Sequence, residues 1–181
     1  MSPVTIRSAD PRRDATACAA IYAPSVEGSA TSFEERAPDA AEFAARIERI
    51  SATHPFLVAE DGGEVVGYAY ACPFQGRPAY RWSAGVSVYV APERHGQGIG
   101  RALYEELFKR LRHQGFRMAC AGITLPNAAS IGLHERLGFT AAGVNREIGW
   151  KDGAWRDVGW WQLELIPAPD GPPPEPSPPA G

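Results

Sequence analysis

The stretch that most constrains this chain runs from Ser87 to Leu103 and reads Ser87-Val88-Tyr89-Val90-Ala91-Pro92-Glu93-Arg94-His95-Gly96-Gln97-Gly98-Ile99-Gly100-Arg101-Ala102-Leu103. Val88, Tyr89 and Val90 are strand formers. Pro92 has no N–H to give a ladder, so the strand ends there. Gly96, Gly98 and Gly100 follow at every second position. Glycines at that density weaken a helix interior and predict a turn. Beyond them Leu103, Leu107 and Leu111 recur at four-residue spacing, one face of a helix.

A glycine turn at a helix start has a physical use. The first N–H groups of a helix lack internal partners, and glycines let a ligand approach them. The helix dipole adds partial positive charge, which suits a pyrophosphate. The Walker loop needs Gly-Lys-Ser/Thr, yet Gly98-Ile99-Gly100 runs into Arg101. The dinucleotide fingerprint needs G-x-G-x-x-G, yet the spacing here is G-x-G-x-G. From the glycines alone, a tight turn with no ligand is an equal alternative.

With its neighbours, the segment resembles the acetyl-CoA pyrophosphate loop of the GNAT N-acetyltransferase superfamily: a strand, an R/Q-x-x-G-x-G/A turn and an amphipathic helix. The matching window is His95-Gly96-Gln97-Gly98-Ile99-Gly100. His95 departs from the Arg or Gln of the pattern, and Arg94 beside it is the stand-in for that charge. A second block, Asn127-Ala128-Ala129-Ser130-Ile131-Gly132-Leu133-His134-Glu135-Arg136-Leu137-Gly138-Phe139, resembles the N-x-x-S-x-x-L-Y/H-x-x-L-G-F helix of the same superfamily. Two blocks in order are far more specific than one.

The length of 181 residues suits one domain with a buried core. A net charge of −3 makes no electrostatic case for nucleic acid. Cys18, Cys72 and Cys120 are odd in number and far apart, and form no ligand cluster with His54, His95, His113 or His134. A metal site and a disulfide framework are therefore not expected. No apolar run reaches spanning length, and the N-terminus carries no signal-peptide pattern. The expectation is a cytoplasmic protein without membrane or nucleic-acid partners.

In chain order, Val4 to Arg7 reads as a strand and Asp14 to Val26 as a helix. Glu27 to Ala37 reads as a loop carrying Phe33. A helix from Pro38, at its first position, runs to Ala52. Strands Phe56–Ala59 and Glu64–Cys72 flank the hairpin signal Asp61-Gly62-Gly63. Pro73 to Pro78 is a loop, and Tyr80 to Val90 a long central strand. After the glycine turn, a helix reaches His113. Arg117–Thr124 is a strand, and Asn127 caps the next helix. Phe139–Trp150 and Trp155–Leu165 close the domain as a hairpin around Lys151-Asp152-Gly153. This gives one domain over 1–166. In the tail, 167–181, eight of fifteen residues are proline, so disorder is expected there. The fold class is α+β in mixed layers. The resemblance implies a splayed, mostly antiparallel central sheet flanked by helices.

Within the superfamily the chain is most similar to the phosphinothricin and methionine-sulfoximine N-acetyltransferases. The similarity is carried by Ser32-Phe33, Arg77-Pro78-Ala79-Tyr80-Arg81-Trp82, Ser87-Val88-Tyr89-Val90, Ala121-Gly122-Ile123, Ile131 to Glu135, Asp157-Val158-Gly159 and Trp161-Gln162-Leu163. The resemblance implies acetyl-CoA as co-substrate, without metal, and a small anionic amino acid acetylated on its α-amino group. It implies cofactor contacts at Val88, Tyr89, Val90, Gly96, Gln97, Gly98, Ile99, Gly100, Arg101, Asn127 and Ser130. Acceptor contacts fall on Phe33, Gln75, Gly76, Arg77, Tyr80, Gly85, Val86 and Ser87. His134 stands near the leaving thiol as the catalytic residue. A homodimer is implied too, with the hairpin from Trp150 to Trp161 as the contact.

Chemistry supports some of these roles. A guanidinium binds carboxylate or phosphinate through two parallel bonds, so Arg77 on a loop suits a clamp, or a solvated surface arginine. Phe33 either walls a pocket or tucks its loop. His134 borders an apolar stripe, where histidines are more often structural. Gly85 breaks the pattern: the resemblance places a glutamate base two residues before Ser-Val-Tyr-Val. Glu34, Glu35 and His134 are the substitutes in view. The alternatives to this function are a weakly catalytic acyl-CoA-binding protein and an N-acetyltransferase for another amine.

Overall fold

The computed structural model describes residues 4–179. Strands β1 (Thr5–Ser8), β2 (Phe56–Asp61), β3 (Glu64–Pro73), β4 (Ser83–Val90), β5 (Met118–Thr124), β6 (Thr140–Lys151) and β7 (Ala154–Glu164) make one sheet in the order β1-β2-β3-β4-β5-β7-β6. Every neighbouring pair is antiparallel except β4 with β5. Helices α1 (Pro11–Glu27), α2 (Ala40–Ser51), α3 (Ile99–Gln114) and α4 (Ala128–Arg136) complete the element order expected from sequence.

Local chemistry sets the helix ends. Asp10 accepts from the Arg12 and Arg13 N–H groups, and Pro11 occupies the first turn of α1. Asp39 and Glu42 form a capping box on α2. Pro38 therefore precedes the cap and is not the first helical residue, which corrects the sequence expectation. Asn127 caps α4 through the Ser130 N–H at 3.1 Å. Gly62 and Gly63 both take positive φ in the β2–β3 turn, and Asp152 and Gly153 do so between β6 and β7.

A second correction concerns β4. Pro78–Tyr80 forms a 3₁₀ turn, with the Tyr80 N–H on the Arg77 carbonyl at 3.0 Å, and the strand begins only at Ser83. Tyr80 thus belongs to the loop and not to the central strand.

The sheet has a core on each face. On one side Leu103, Leu107 and Leu111 of α3 pack on Leu57, Ala69, Ala71, Ala84 and Val86. On the other, Cys18, Tyr22 and Val26 of α1 and Phe43 and Ile47 of α2 pack on Phe56, Val58 and Tyr68. The alternation along β3 shows why: Ala69 and Ala71 face α3, while Tyr68 and Tyr70 face α1 and α2.

After Ile166 the described chain has neither helix nor strand. It is tied to the domain nonetheless. The Trp82 indole N–H donates to the Pro174 carbonyl at 2.8 Å, and Gln114 exchanges bonds of 2.7 and 2.8 Å with Ser177. Arg81 pairs with Glu175 at 3.3 Å.

Candidate active site

β4 and β5 pair only over Ser83↔Met118, Ala84↔Ala119 and Gly85↔Cys120. Beyond Gly85 they part: β4 continues along β3 to Val90, while β5 continues along β7 to Thr124. The β5-facing edge of residues 86–90 thus has no strand partner. Such an edge accepts an extended amide chain as a further strand. A slot of about 70 Å³ fills the gap. Val86, Ser87, Val88 and Tyr89 line it from β4, and Ala121 to Thr124 from β5. Asn127, Ser130 and His134 close it from α4, Tyr104 from α3 and Thr31 from the α1–α2 loop.

The strand leads directly into an anion-binding geometry. Pro92–Arg94 forms a 3₁₀ turn, and Gly96 and Gly98 take φ of 76° and 80°. Gly98 is the N-cap of α3 and no side chain caps that end. Its first N–H groups are left to a ligand. Gly100 differs from its neighbours. It lies inside the first turn of α3, and a Cβ there would meet Leu133 at 3.4 Å and Val90 at 3.7 Å. Gly100 thus serves close packing of α3 on β4 and α4, whereas Gly96 and Gly98 serve the turn.

The charges around the turn are arranged differently from the sequence expectation. Arg94 is engaged with Asp61 of β2, so it is not a free substitute for the charge that His95 lacks. The His95 ring donates from Nε2 to the Val90 carbonyl at 2.9 Å. Arg101 pairs with Glu105 at 2.7 Å and the Gln97 amide donates to the Glu93 carbonyl at 3.3 Å. Ile99 is buried in the core below the turn.

His134 is buried, with Nδ1 2.8 Å from the Ser130 carbonyl and Nε2 3.1 Å from the Tyr104 hydroxyl. A carbonyl only accepts, so the Nδ1 carries the proton. The Nε2 lone pair then accepts from Tyr104. Burial lowers the pKa of His134, and the Ser130 carbonyl partly opposes this. Burial also raises the Tyr104 phenol, which stays protonated. Tyr104 was missed in the sequence because it reads as part of the apolar stripe of α3. The signal was a phenol beside Leu103, which needs a polar partner when buried.

The expected acceptor residues divide into two groups. Val86 and Ser87 line the slot, and Gly85 stands at the point where β4 and β5 part. Gln75, Gly76 and Arg77 lie exposed on the β3–β4 loop, and Arg77 makes no ion pair among the described residues. Tyr80 packs edge-on against Phe74, with ring centroids 6.0 Å apart. Phe33 lies over Gly149 of β6, where any Cβ would collide with its ring. Phe33 thus tucks its loop onto the hairpin while staying partly exposed.

Glu34 is a poor substitute for the missing glutamate. Both its oxygens accept from Arg46 at 2.7 Å, and Tyr22 donates to it at 2.9 Å. Arg46 holds this carboxyl below its ordinary pKa. Its loop is fixed by Lys151, whose ammonium donates to the Val26 and Glu34 carbonyls at 2.7 and 2.6 Å. Among the described residues no group of three His, Cys, Asp or Glu is placed to hold a metal ion.

Comparison with known proteins agrees with this geometry. The sequence profile of the acetyltransferase (GNAT) family matches residues 22–139. The chain is 41% identical to the phosphinothricin N-acetyltransferase of Streptomyces viridochromogenes, over 94% of this chain and 93% of that one. It is 37% identical to the L-methionine sulfoximine/L-methionine sulfone acetyltransferase of Salmonella typhimurium, over 90% and 95%. The crystal structure of a GNAT superfamily phosphinothricin acetyltransferase from Sinorhizobium meliloti, in complex with acetyl-CoA, superimposes with a TM-score of 0.89. It is 38% identical, and the match covers 96% of this chain and 95% of that one.

Proposed function

Because the chain belongs to the GNAT acetyltransferase family, we propose that it transfers the acetyl group of acetyl-CoA to the α-amino group of a small anionic amino acid of the phosphinothricin or methionine-sulfoximine type. The observation that carries this reading is the parting of β4 and β5 at Gly85, leading straight to the uncapped α3 N-terminus. The open edge of Val88, Tyr89 and Val90 suits the amides of a pantetheine arm. The N–H groups behind Gly96, Gln97, Gly98, Ile99, Gly100 and Arg101 suit a pyrophosphate. Asn127 and Ser130 stand over the same slot.

In the reaction a neutral amine attacks the thioester carbonyl, a C–N bond forms, and the C–S bond breaks. The nitrogen loses one proton and the thiolate gains one. Holding the reactants together supplies much of the rate, and backbone N–H groups of β4 polarise the carbonyl. His134, at the slot wall, relays the proton to the thiolate through Nε2, which the Tyr104 hydroxyl must first release. Arg77 clamps the acceptor carboxylate, with Phe33, Gln75, Gly76, Tyr80, Gly85, Val86 and Ser87 around it.

The exposed Trp150 and Trp155, 5.5 Å apart on the β6–β7 hairpin, support a homodimer through that edge. Light scattering that finds a monomer at micromolar concentration sinks this. Three free cysteines fit a cytoplasmic setting.

The experiment is a thiol-release assay with acetyl-CoA against phosphinothricin, methionine sulfoximine, an amino sugar and a peptide N-terminus. Turnover confined to the two amino acids is the expected result. Gly85, standing in place of a glutamate, favours one second reading: a weakly catalytic acyl-CoA-binding protein. Tight acetyl-CoA binding without release of thiol for any amine selects it.

A further inference from the structure

Lys151, the last residue of β6, is buried and pairs with no carboxylate among the described residues. A buried ammonium is costly unless its donors are met. Here Nζ donates to the Val26 carbonyl at 2.7 Å and to the Glu34 carbonyl at 2.6 Å. Val26 lies in the last turn of α1, where carbonyls lack partners within the helix. That turn has no basic residue of its own, so Lys151 supplies the cation that the C-terminal end of a helix dipole favours. Glu34 lies in the strap that follows, residues 28–39. One side chain of the hairpin thus joins the end of α1 to the strap.

The strap is fixed on its helix side by Tyr22, whose hydroxyl lies 2.6 Å from the Ser32 hydroxyl and donates to Glu34. On its hairpin side Phe33 lies over Gly149, two residues before Lys151. Thr31 of the strap lines the slot between β4 and β5. Thr31, Thr124 and Asn127 also line a wider cavity of about 440 Å³, with Ser29, Asp152 and Arg156. The Thr124 hydroxyl donates to the Thr31 carbonyl at 3.5 Å across that junction. The seat of the strap therefore decides how widely the slot opens into the cavity.

We propose that Lys151 is a positioning residue for the transfer: it latches the strap to the hairpin, so that Thr31 keeps the slot closed against the wider cavity and the thioester meets the acceptor amine and not water. The inference rests on the N-acetyltransferase reading and deepens it. With the strap lifted, water replaces the amine as nucleophile. Its oxygen attacks the thioester carbonyl, a C–O bond forms and the C–S bond breaks. The water gives one proton to the departing thiolate, and the products are acetic acid and CoA. Closed sites suppress such side reactions by excluding water. Acceptor binding weakens with the same movement, because Phe33 travels with the strap.

Two variants release the strap by different routes. Lys151→Met removes the donors and keeps the length of the side chain. Gly149→Ala leaves both Lys151 bonds in place, but its Cβ would collide with the Phe33 ring, which also guards against a folding failure of the first. The measurements are thiol release beside N-acetylated product with phosphinothricin, and hydrogen exchange of residues 28–39. In the parent, thiol and product are expected to keep step. In both variants thiol is expected to outrun product, and the acceptor KM to rise about tenfold with kcat within about threefold, a loss of binding more than of chemistry. The strap is expected to exchange faster while α2 does not. Lys151→Arg, which keeps the donors, is expected to restore part of the coupling. Thiol and product in step with an unmoved acceptor KM, in variants whose strap exchanges faster, overturn the proposal. So does a strap whose exchange neither variant changes. If no amine is acetylated, faster thiol release from acetyl-CoA alone in both variants upholds the latch and rejects the transferase reading, and unchanged release rejects both. Acetylation with coupling unmoved keeps the transferase reading and rejects the latch.

Discussion

The Tyr104 hydroxyl stands 3.1 Å from Nε2 of His134, joining α3 to α4 through a hydrogen bond that is fully buried. Tyr104→Phe strips that nitrogen of its only donor among the described residues. Leaving a buried acceptor unsatisfied costs about 1–3 kcal/mol, which denaturant melts would read. The bond also favours neutral imidazole, so its loss raises the pKa of His134. If His134 carries the proton, the acid limb of the kcat/KM profile moves to higher pH. An unmoved limb shows that His134 is structural.

His54 and His134 both have pKa values lowered by burial from the ordinary 6.5. Each therefore contributes stability that is complete above pH 6.5. That stability is lost as pH falls below 6.5 and through the lowered folded value. The melting temperature is expected to be flat near neutrality and to decline under mild acid. His134→Gln is expected to make that decline shallower, and an unchanged decline would leave His54 and the carboxylates as its cause.

Acetyl-CoA is expected to raise the melting temperature by mass action, about 2.7 kcal/mol at a hundredfold excess over Kd. Gly98→Val opposes the positive φ at the N-cap of α3, a strain of about 1–3 kcal/mol. The variant should fold and lose the shift. Gly100→Val instead crowds Leu133 and Val90, and should lower stability even without ligand. A full ligand shift in a variant carrying both changes would remove the turn from the pyrophosphate site.

With no side chain at Gly85, activity is expected to climb through alkaline pH toward the pKa of the amine. Gly85→Glu should add at least about tenfold near neutral pH, since general-base help is worth about 10² to 10⁴. Its Cβ meets the Cys72 sulfur at 3.2 Å, so the same change on a Cys72→Ala background separates crowding from chemistry. No gain in either, with brisk neutral turnover in the parent, assigns the base elsewhere.

Removing residues 167–181 cuts the bonds of Pro174 to Trp82 and of Ser177 to Gln114. Neutral hydrogen bonds are worth about 0.5–1.5 kcal/mol each, so a lower melting temperature is expected, with kcat/KM and oligomeric state unchanged. An unchanged melt would show that the tail does not stay docked in solution, as its proline content suggests.

The elements legible in the sequence are those whose causes are local. Gly96 and Gly98 satisfy a backbone conformation that neighbouring residues impose, and Asn127 caps its own helix. Asp61-Gly62-Gly63 closes a hairpin between its own strands. For the same reason the element order was readable from periodicity and turn residues, while Pro38 was misplaced by one cap and Tyr80 by one short turn. What only the tertiary structure decided depends on residues far apart in the chain. The β4–β5 parting at Gly85 is a property of two strands, since the register with β3 holds β4 straight while β5 follows β7 away. Arg94 finds Asp61 across the sheet, Tyr104 finds His134 across two helices, and Glu34 finds Arg46 across a loop. Each of these partners is chosen by packing of the layers, because a buried polar group must pair with whatever the fold brings within reach.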